Sequence, residues 1–311
     1  AFQGHGSPDK LAAMTSSSEF FDVSSVAHCW KLRRQTLTYQ GRPLWMGIIN
    51  VTPDSFSDGG KFWDTEAAIQ HGLDLVRQGA DLLDIGGEST RPYSEPVGEE
   101  EEQQRVVPVI EALTAQTDVP ISIDTSKASV AEAALAAGAQ VINDVTGLEA
   151  DPEMLPLAID SKAGLCAMHM QGSPQTMQDA PHYENVVEEI YEYLQQRRDY
   201  LVAAGMEPRQ ICLDVGIGFG KSHQHNLELL ARCERFHQLG CPLLVGHSRK
   251  GFIAHVLQDK QTDRTAGTIG VAMALGQQGV QVLRVHDVAP VRQAWLLFEA
   301  CRSGTDPSLA E

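Results

Sequence analysis

A chain of 311 residues, 42% of them hydrophobic, can bury a sizeable core, either as two ordinary domains or as one α/β barrel of about 250 residues. Its formal net charge of -17 excludes a polyanion partner, because binding to a nucleic-acid backbone or an anionic membrane surface depends on clustered Lys and Arg. A small anionic ligand stays open, since a few basic residues gathered in one cleft raise a local potential that the net charge hides. The six cysteines, Cys29, Cys166, Cys212, Cys233, Cys241 and Cys301, form no CxxC pair. They read as small buried hydrophobes in a reducing compartment, not as a disulfide framework or a zinc site. No stretch has the length and apolarity of a transmembrane helix, and Ala1 to Phe20 lacks the charged-then-apolar order of a secretory signal, so the expected location is cytoplasmic.

Residues 1–25, with Gly4, Gly6, Pro8 and the Ser16-Ser17-Ser18 run, have the composition of a flexible terminus. Leu37-Thr38-Tyr39 and Leu44-Trp45 flank Gln40-Gly41-Arg42-Pro43, which predicts a short hairpin leading into the main domain. From there short apolar runs alternate with longer amphipathic stretches. The runs are Leu44 to Val51, Asp81 to Gly86, Val119 to Asp124, Gln140 to Val145, Gly164 to His169, Gln210 to Val215, Pro242 to Gly246 and Gln281 to His286. The helix-like stretches are Asp64 to Gln78, Glu99 to Ala115, Lys127 to Ala137, Pro152 to Ile159, Glu184 to Ala204, Asn226 to Leu239, Ala266 to Gln277 and Val288 to Cys301. Eight of each predict an α/β fold of the (β/α)8 TIM-barrel class: one domain over residues 26–303, with a short N-terminal extension or hairpin and a tail over 304–311.

Polar residues gather at the C-terminal ends of these strands, the rim where this fold builds active sites. Asn50 and Asp54 follow the first, and Glu88, Thr90 and Arg91 the second. Asp124, Asn143, His169 and Asp214 lie at or near the ends of the third to sixth. Ser248-Arg249-Lys250 follows the seventh, and Arg284 and His286 close the eighth. Any one of these is ordinarily a solvated loop residue; a polar group at all eight ends predicts a catalytic face.

Arg284 and His286, two apart in a strand, project on one face beside Arg249-Lys250, and with Arg91 they predict a basic pocket for a phosphorylated substrate. The Glu99 to Glu102 run reads as a solvated helix start, where the helix dipole favours negative charge. Asp124, Asn143 and Asp214 offer acceptors and an amide that can read the edge of a flat heterocycle. Gly216-Ile217-Gly218-Phe219-Gly220-Lys221-Ser222 misses the nucleotide P-loop spacing, because Val215 stands where glycine is required, so it reads as a loop of close approach over the pocket. His169, His247 and His286 have no HExxH arrangement, which argues against catalytic zinc.

Two long segments, Gly47 to Gly60 (GIINVTPDSFSDGG) and Asp84 to Pro92 (DIGGESTRP), closely resemble the signatures of the dihydropteroate synthase family. Ile123-Asp124-Thr125, Ile142-Asn143-Asp144, His169-Met170-Gln171-Gly172, the Gly216 to Lys221 loop, Ser248-Arg249-Lys250 and Arg284-Val285-His286-Asp287 follow in family order, so the resemblance covers nearly all of Leu44 to Cys301. It implies a transferase of folate biosynthesis that condenses 6-hydroxymethyl-7,8-dihydropterin diphosphate with para-aminobenzoate, releases pyrophosphate and is a sulfonamide target. By position it implies that Asp124, Asn143, Met168, Asp214 and Lys250 hold the pterin. Asn50, Arg91, Arg284 and His286 would hold the diphosphate, with Asn50 beside Mg²⁺ as cofactor. Phe56, Thr90, Pro92, Phe219 and Ser248 would line the aminobenzoate site, and Asp54, Arg91 and Lys250 would be catalytic. The resemblance also implies a homodimer. Val215 and Tyr93 depart from the usual proline and glycine. Two alternatives remain: a methyltetrahydrofolate-corrinoid methyltransferase-like barrel, which has no use for the Ser248 and Arg284/His286 groups, and a pterin-binding paralogue without turnover.

Overall fold

The computed structural model describes residues 27–52, 60–90, 94–173 and 175–305. The expected flexible segment 1–25 and all but the start of the tail lie outside the described residues. Two strands, β1 (Cys29–Lys31) and β2 (Thr36–Thr38), precede β3 (Leu44–Asn50), α1 (Gly60–Arg77), β4 (Leu82–Gly86), α2 (Glu99–Thr114) and β5 (Ile121–Asp124). Next come α3 (Ala128–Ala137), β6 (Val141–Asp144), α4 (Met154–Ser161), β7 (Gly164–Met168), α5 (Val186–Ala203) and β8 (Ile211–Asp214). The last third holds α6 (His223–Leu230), β9 (Leu243–Gly246), α7 (Gly251–Val256), α8 (Thr265–Gln277), β10 (Val282–Val285) and α9 (Val288–Ser303). Strands β3 to β10 pair in parallel, and β10 closes on β3, so the eight expected runs form one closed barrel.

The period of two along each strand sorts side chains into two sets. Outward residues such as Ile49, Leu83, Ile85, Ile123, Ile142, Leu213, Val245 and Leu283 join the helices in one large core. Inward, the first residues are apolar: Leu44, Met46, Leu82, Val141, Cys166, Cys212, Leu244 and Val282 form a separate cluster. Two residues further along four of these strands the inward position is Asp84, Asn143, Asp214 or Arg284. The barrel is therefore apolar at its base and polar at its mouth. On the outside, α8 meets α9 at Gly276, where an added Cβ would fall 2.1 Å from Trp295, and Trp295 meets Trp45 edge-on at 6.2 Å between centroids.

Three expectations are corrected. The hairpin pairs β1 with β2, Trp30 opposite Leu37, whereas Leu44-Trp45 is the start of a barrel strand. The stretch Asn226 to Leu239 is not one helix: α6 begins earlier, at a Ser222 cap that accepts from the His225 amide, and Arg232 leaves helical geometry before a 3-10 turn over Cys233–Leu239. In the Glu99 to Glu102 run the first three are exposed, but Glu102 is fully buried and paired with Lys127.

The hairpin stoppers the base of the barrel. Trp30 is fully buried among the inward apolar cluster, and its indole Nε1 donates to the Gln210 carbonyl at 2.9 Å. Trp30→Ala is expected to cost about 3–5 kcal/mol of unfolding free energy, the range for emptying a buried aromatic site, while kcat of the folded fraction is retained. Urea denaturation followed by far-ultraviolet dichroism measures it; a loss under about 1 kcal/mol would mean that the hairpin does not seal the core.

Candidate active site

The inward polar residues form a connected floor. Arg284 of β10 donates from Nε to Asp84 Oδ2 at 2.5 Å and from Nη2 to Asp124 Oδ2 at 2.7 Å, so one guanidinium spans two carboxylates of the adjacent strands β4 and β5. Asn143 of β6 donates from Nδ2 to the same Asp84 oxygen at 3.2 Å. Burial pushes the Asp124 carboxyl up to about 7, against the pull of Arg284 and with Asp84, Glu102 and Asp144 adding to the rise. Burial lowers the pKa of Arg284, but Asp84 and Asp124 more than reverse this, so it stays charged.

On the β8 and β9 side of the mouth stand Asp214 and Lys250, with Lys250 next to Arg284: a Cβ at Gly246 would meet Arg284 Cδ at 3.8 Å and Lys250 Nζ at 3.9 Å. Asp214 Oδ1 accepts from the Gly216 amide at 2.8 Å, and burial raises its pKa. The Lys250 ammonium donates to the Ile217 carbonyl and lies 4.6 Å from the centre of the Phe219 ring. Burial pushes it down to about 8, with Asp214 opposing and Arg284 adding to the fall. Arg249 adopts left-handed backbone geometry, φ 57°, and its exposed side chain takes both oxygens of Asp287, at 3.0 and 2.6 Å. The two neighbouring cations are thus divided: Arg249 is tied to a surface carboxylate and Lys250 serves the mouth. Ser248 is buried, and its hydroxyl lies 2.9 Å from His286 Nδ1 while accepting from the His286 amide at 3.2 Å.

The loop after β8 is locked to the one after β7. Gly216 has φ +69°, and a Cβ there would sit 1.9 Å from the His169 carbonyl oxygen, so only glycine permits this approach. Lys221, almost wholly buried, donates to the carbonyl of Phe219 at 2.8 Å and lies 3.0 Å from His169 Nδ1. Burial drives its pKa well down, and burial together with the Lys221 charge holds His169 at about 2, so a neutral imidazole faces the lysine where the two loops join. Met168 ends β7 beside Asp214 in register and is buried.

At the rim Lys127 bridges Glu88, at 2.6 Å, and the buried Glu102, fixing the loop after β4 to α2 and α3. Thr90 stands half-buried in that loop. Asn50 ends β3, half-buried, opposite Gly86 in register. Asp54, Phe56, Arg91 and Pro92 lie outside the described residues. The mouth therefore brings together Asp124, Asn143, Asp214, Lys250 and Arg284 by direct contacts or mutual electrostatic influence, with His286 and Ser248 joined to one another beside them.

Sequence reasoning passed over Asp84 and Lys221. Asp84 was legible: it interrupts an apolar strand in the inward phase, two residues before Gly86. Lys221 lies in a glycine loop with no periodicity to give its direction. Among the described residues no three His, Cys, Asp or Glu side chains cluster as metal ligands. Asn50, a single amide oxygen, fits an ion that keeps water and is held chiefly by substrate phosphates, the usual habit of Mg²⁺.

Comparison with known proteins identifies the family to which the chain belongs. A family model described as pterin binding enzyme matches residues 46–286. The chain is 43% identical over 258 residues to the dihydropteroate synthase of Haemophilus influenzae, covering 83% of this chain and 94% of that one. Xanthomonas albilineans dihydropteroate synthase with 4-aminobenzoic acid superposes with a TM-score of 0.83 at 45% identity, covering 89% of this chain and 99% of that one. The same enzyme in complex with 7,8-dihydropteroate gives 0.80 at 43% identity, covering 88% and 99%.

Proposed function

The chain belongs to the pterin-binding enzyme family, and from that premise we propose how its barrel mouth carries out the dihydropteroate synthase reaction of folate synthesis. The substrates are 6-hydroxymethyl-7,8-dihydropterin diphosphate and para-aminobenzoate; the products are 7,8-dihydropteroate and pyrophosphate. The observation that carries the residue roles is the contact of Arg284 with Asp124, beside Lys250 and under the charge of Asp214, which sets a fixed cation among groups suited to a heterocycle.

Asp214 and Asp124 are acceptors for the ring's N–H donors, and Asn143 and Lys250 supply donors to its acceptors. Met168 gives the ring an apolar contact. Arg284, with His286 and Arg91, takes the diphosphate, so that charge developing on the leaving oxygen meets a cation already in place. The methylene carbon–oxygen bond breaks, the aromatic amine attacks the same carbon, and the amine proton passes to solvent. No side chain forms a covalent bond to substrate. Ser248, Thr90, Phe219, Phe56 and Pro92 orient the amine, which supplies the proximity part of catalysis. Asp54 stabilises the transient positive charge on the pterin. Asn50 is the residue that would hold Mg²⁺, which when bound would supply further neutralisation of the leaving group.

The deciding experiment is pyrophosphate release from pterin diphosphate with and without para-aminobenzoate. Release that depends on the amine is expected. Pterin binding without release would favour a paralogue that lacks turnover, and methyl transfer from methyltetrahydrofolate would favour the corrinoid-linked reading.

A homodimer is also proposed. Helix α8 carries no charged residue; Gly270 and Ala274 are exposed on it, and Leu296 and Leu297 of the adjoining α9 are 39% and 69% exposed. An apolar surface of this kind fits a second copy. Gly270→Glu with Leu297→Glu is expected to give monomers by light scattering, since a side chain at Gly270 meets nothing within 4 Å in the monomer; a monomeric wild type would refute the pairing. No helix among the described residues is long and apolar enough to cross a membrane. All six cysteines are free, four of them buried, which supports a cytoplasmic location.

A further inference from the structure

Asp84 is fully buried in the floor of the mouth, so it meets no substrate and acts only through what it holds. One of its oxygens, Oδ2, takes Arg284 Nε at 2.5 Å and Asn143 Nδ2 at 3.2 Å. Those two residues serve different halves of the substrate under the dihydropteroate synthase reading, on which this inference rests. Arg284 Nη2 is taken in turn by Asp124 at 2.7 Å. A planar guanidinium gripped at two nitrogens by carboxylates from two neighbouring strands has its plane fixed, and only its Nη1 edge and its faces remain for a ligand.

A carboxylate placed for stability alone would use both oxygens, because a buried acceptor without a donor is costly. Asp84 Oδ1 is buried and has no partner among the described residues. The side chain is committed to one shared contact at the expense of its second oxygen, a compromise that proteins keep chiefly where geometry serves function.

We infer that Asp84 is a positioning residue: it sets the plane of Arg284 and, through Asn143, holds the leaving-group cation in register with the heterocycle-reading set. The strut runs across three strands, β10 to β4 to β6, so the distance between the two halves of the site is set by barrel strands, not by loops.

The experiment is a double-mutant cycle on the full chain. Asp84→Asn is expected to lower kcat on the order of 10²-fold, the scale for misplacing a reacting group, with KM for para-aminobenzoate changed by no more than about threefold. In an Arg284→Lys background the same substitution is expected to cost under about threefold, because there is no fork left to orient. Ser122→Ala removes another buried polar side chain, the register neighbour of Asp84, and is expected to leave kcat unchanged. Independent, multiplicative losses in the double variant would overturn the inference. So would an equal loss in Ser122→Ala, which would mean that any disturbance of the floor has the same result. If Asp84→Asn does not fold, Asp84→Ser is measured in its place, and failure of both to fold would leave Asp84 a tether of the fold only. Wild-type release of pyrophosphate is recorded alongside, since its absence rejects the reaction itself. In that event calorimetry with inorganic pyrophosphate decides the inference: weaker binding in Asp84→Asn supports it and unchanged binding overturns it.

Discussion

Arg284→Ala is expected to abolish measurable turnover and to weaken binding of both pterin diphosphate and the dephosphorylated pterin alcohol. Were this arginine a partner of the diphosphate alone, the alcohol would bind unchanged. Its contacts argue otherwise. Nε and Nη2 are bonded to Asp84 and Asp124, and its side chain is only 19% exposed. Removing it leaves two buried carboxylates without their shared cation, and breaking a buried pair in this way costs about 3–5 kcal/mol. Part of that loss is relieved by protonation of Asp124, which then cannot accept from a pterin N–H. Calorimetry with each ligand should show the diphosphate losing more, roughly 10²–10⁴-fold on the same energy scale, and the alcohol a smaller but clear loss. Unchanged alcohol affinity would separate Arg284 from the heterocycle set and return it to the leaving group alone. Arg284→Lys keeps the charge without the fork, so it should hold the fold better than alanine and retain a low but measurable rate.

The barrel was legible because its two periodicities are clean. Eight runs of apolar residues, each bounded by polar or turn residues, coincide with the eight observed strands. The differences lie at their ends, where Gln140, Gln210 and Gln281 were read into strands. Gln210 instead donates to the Ala163 carbonyl, and Gln281 accepts from the Leu243 amide and donates to the Ala27 carbonyl, tying neighbouring loops at the barrel base. Such bonds join residues far apart in sequence and leave no local signal. The same holds for the hairpin, whose Trp30 opposes Leu37 because the barrel base offers it an apolar socket. In the stretch after Ser222 the helix ends at Ala231 with no glycine or proline to mark it.

The site was half legible for the same reason. Strand alternation sends Asp124, Asn143, Asp214 and Arg284 inward together, and it would have included Asp84 had phase been applied to that strand. Alternation does not reach the loops. The left-handed turn at Arg249, which separates its direction from that of Lys250, and the burial of Lys221 against His169 follow from how two loops pack.

Binding of the pterin alcohol is expected to be bell-shaped in pH, tightest between about 7 and 8. The acid limb comes from Asp124, whose pKa burial raises from 3.8 to about 7 in the folded chain. A carboxyl raised in this way favours the folded, empty mouth while protonated; that contribution is complete below 3.8 and lost as the pH rises through about 7. A ligand whose N–H groups need the carboxylate must therefore displace a proton below about 7, and its affinity falls by up to about tenfold per pH unit, approaching 10²-fold by pH 5. The alkaline limb comes from Lys250, pushed down to about 8 by burial, since its neutral form gives up the charge that reinforces its hydrogen bond to the ring. The alcohol is the right ligand because it carries no diphosphate to titrate. Asp124→Asn should lower affinity at neutral pH and reduce the acid fall, Lys250→Gln should remove the alkaline fall, and an acid fall that persists in Asp124→Asn belongs to Asp214, whose pKa burial also raises, or to the ligand. A wild-type affinity constant from pH 5 to 9 would show that the pterin does not engage Asp124 as a carboxylate or Lys250 as a cation.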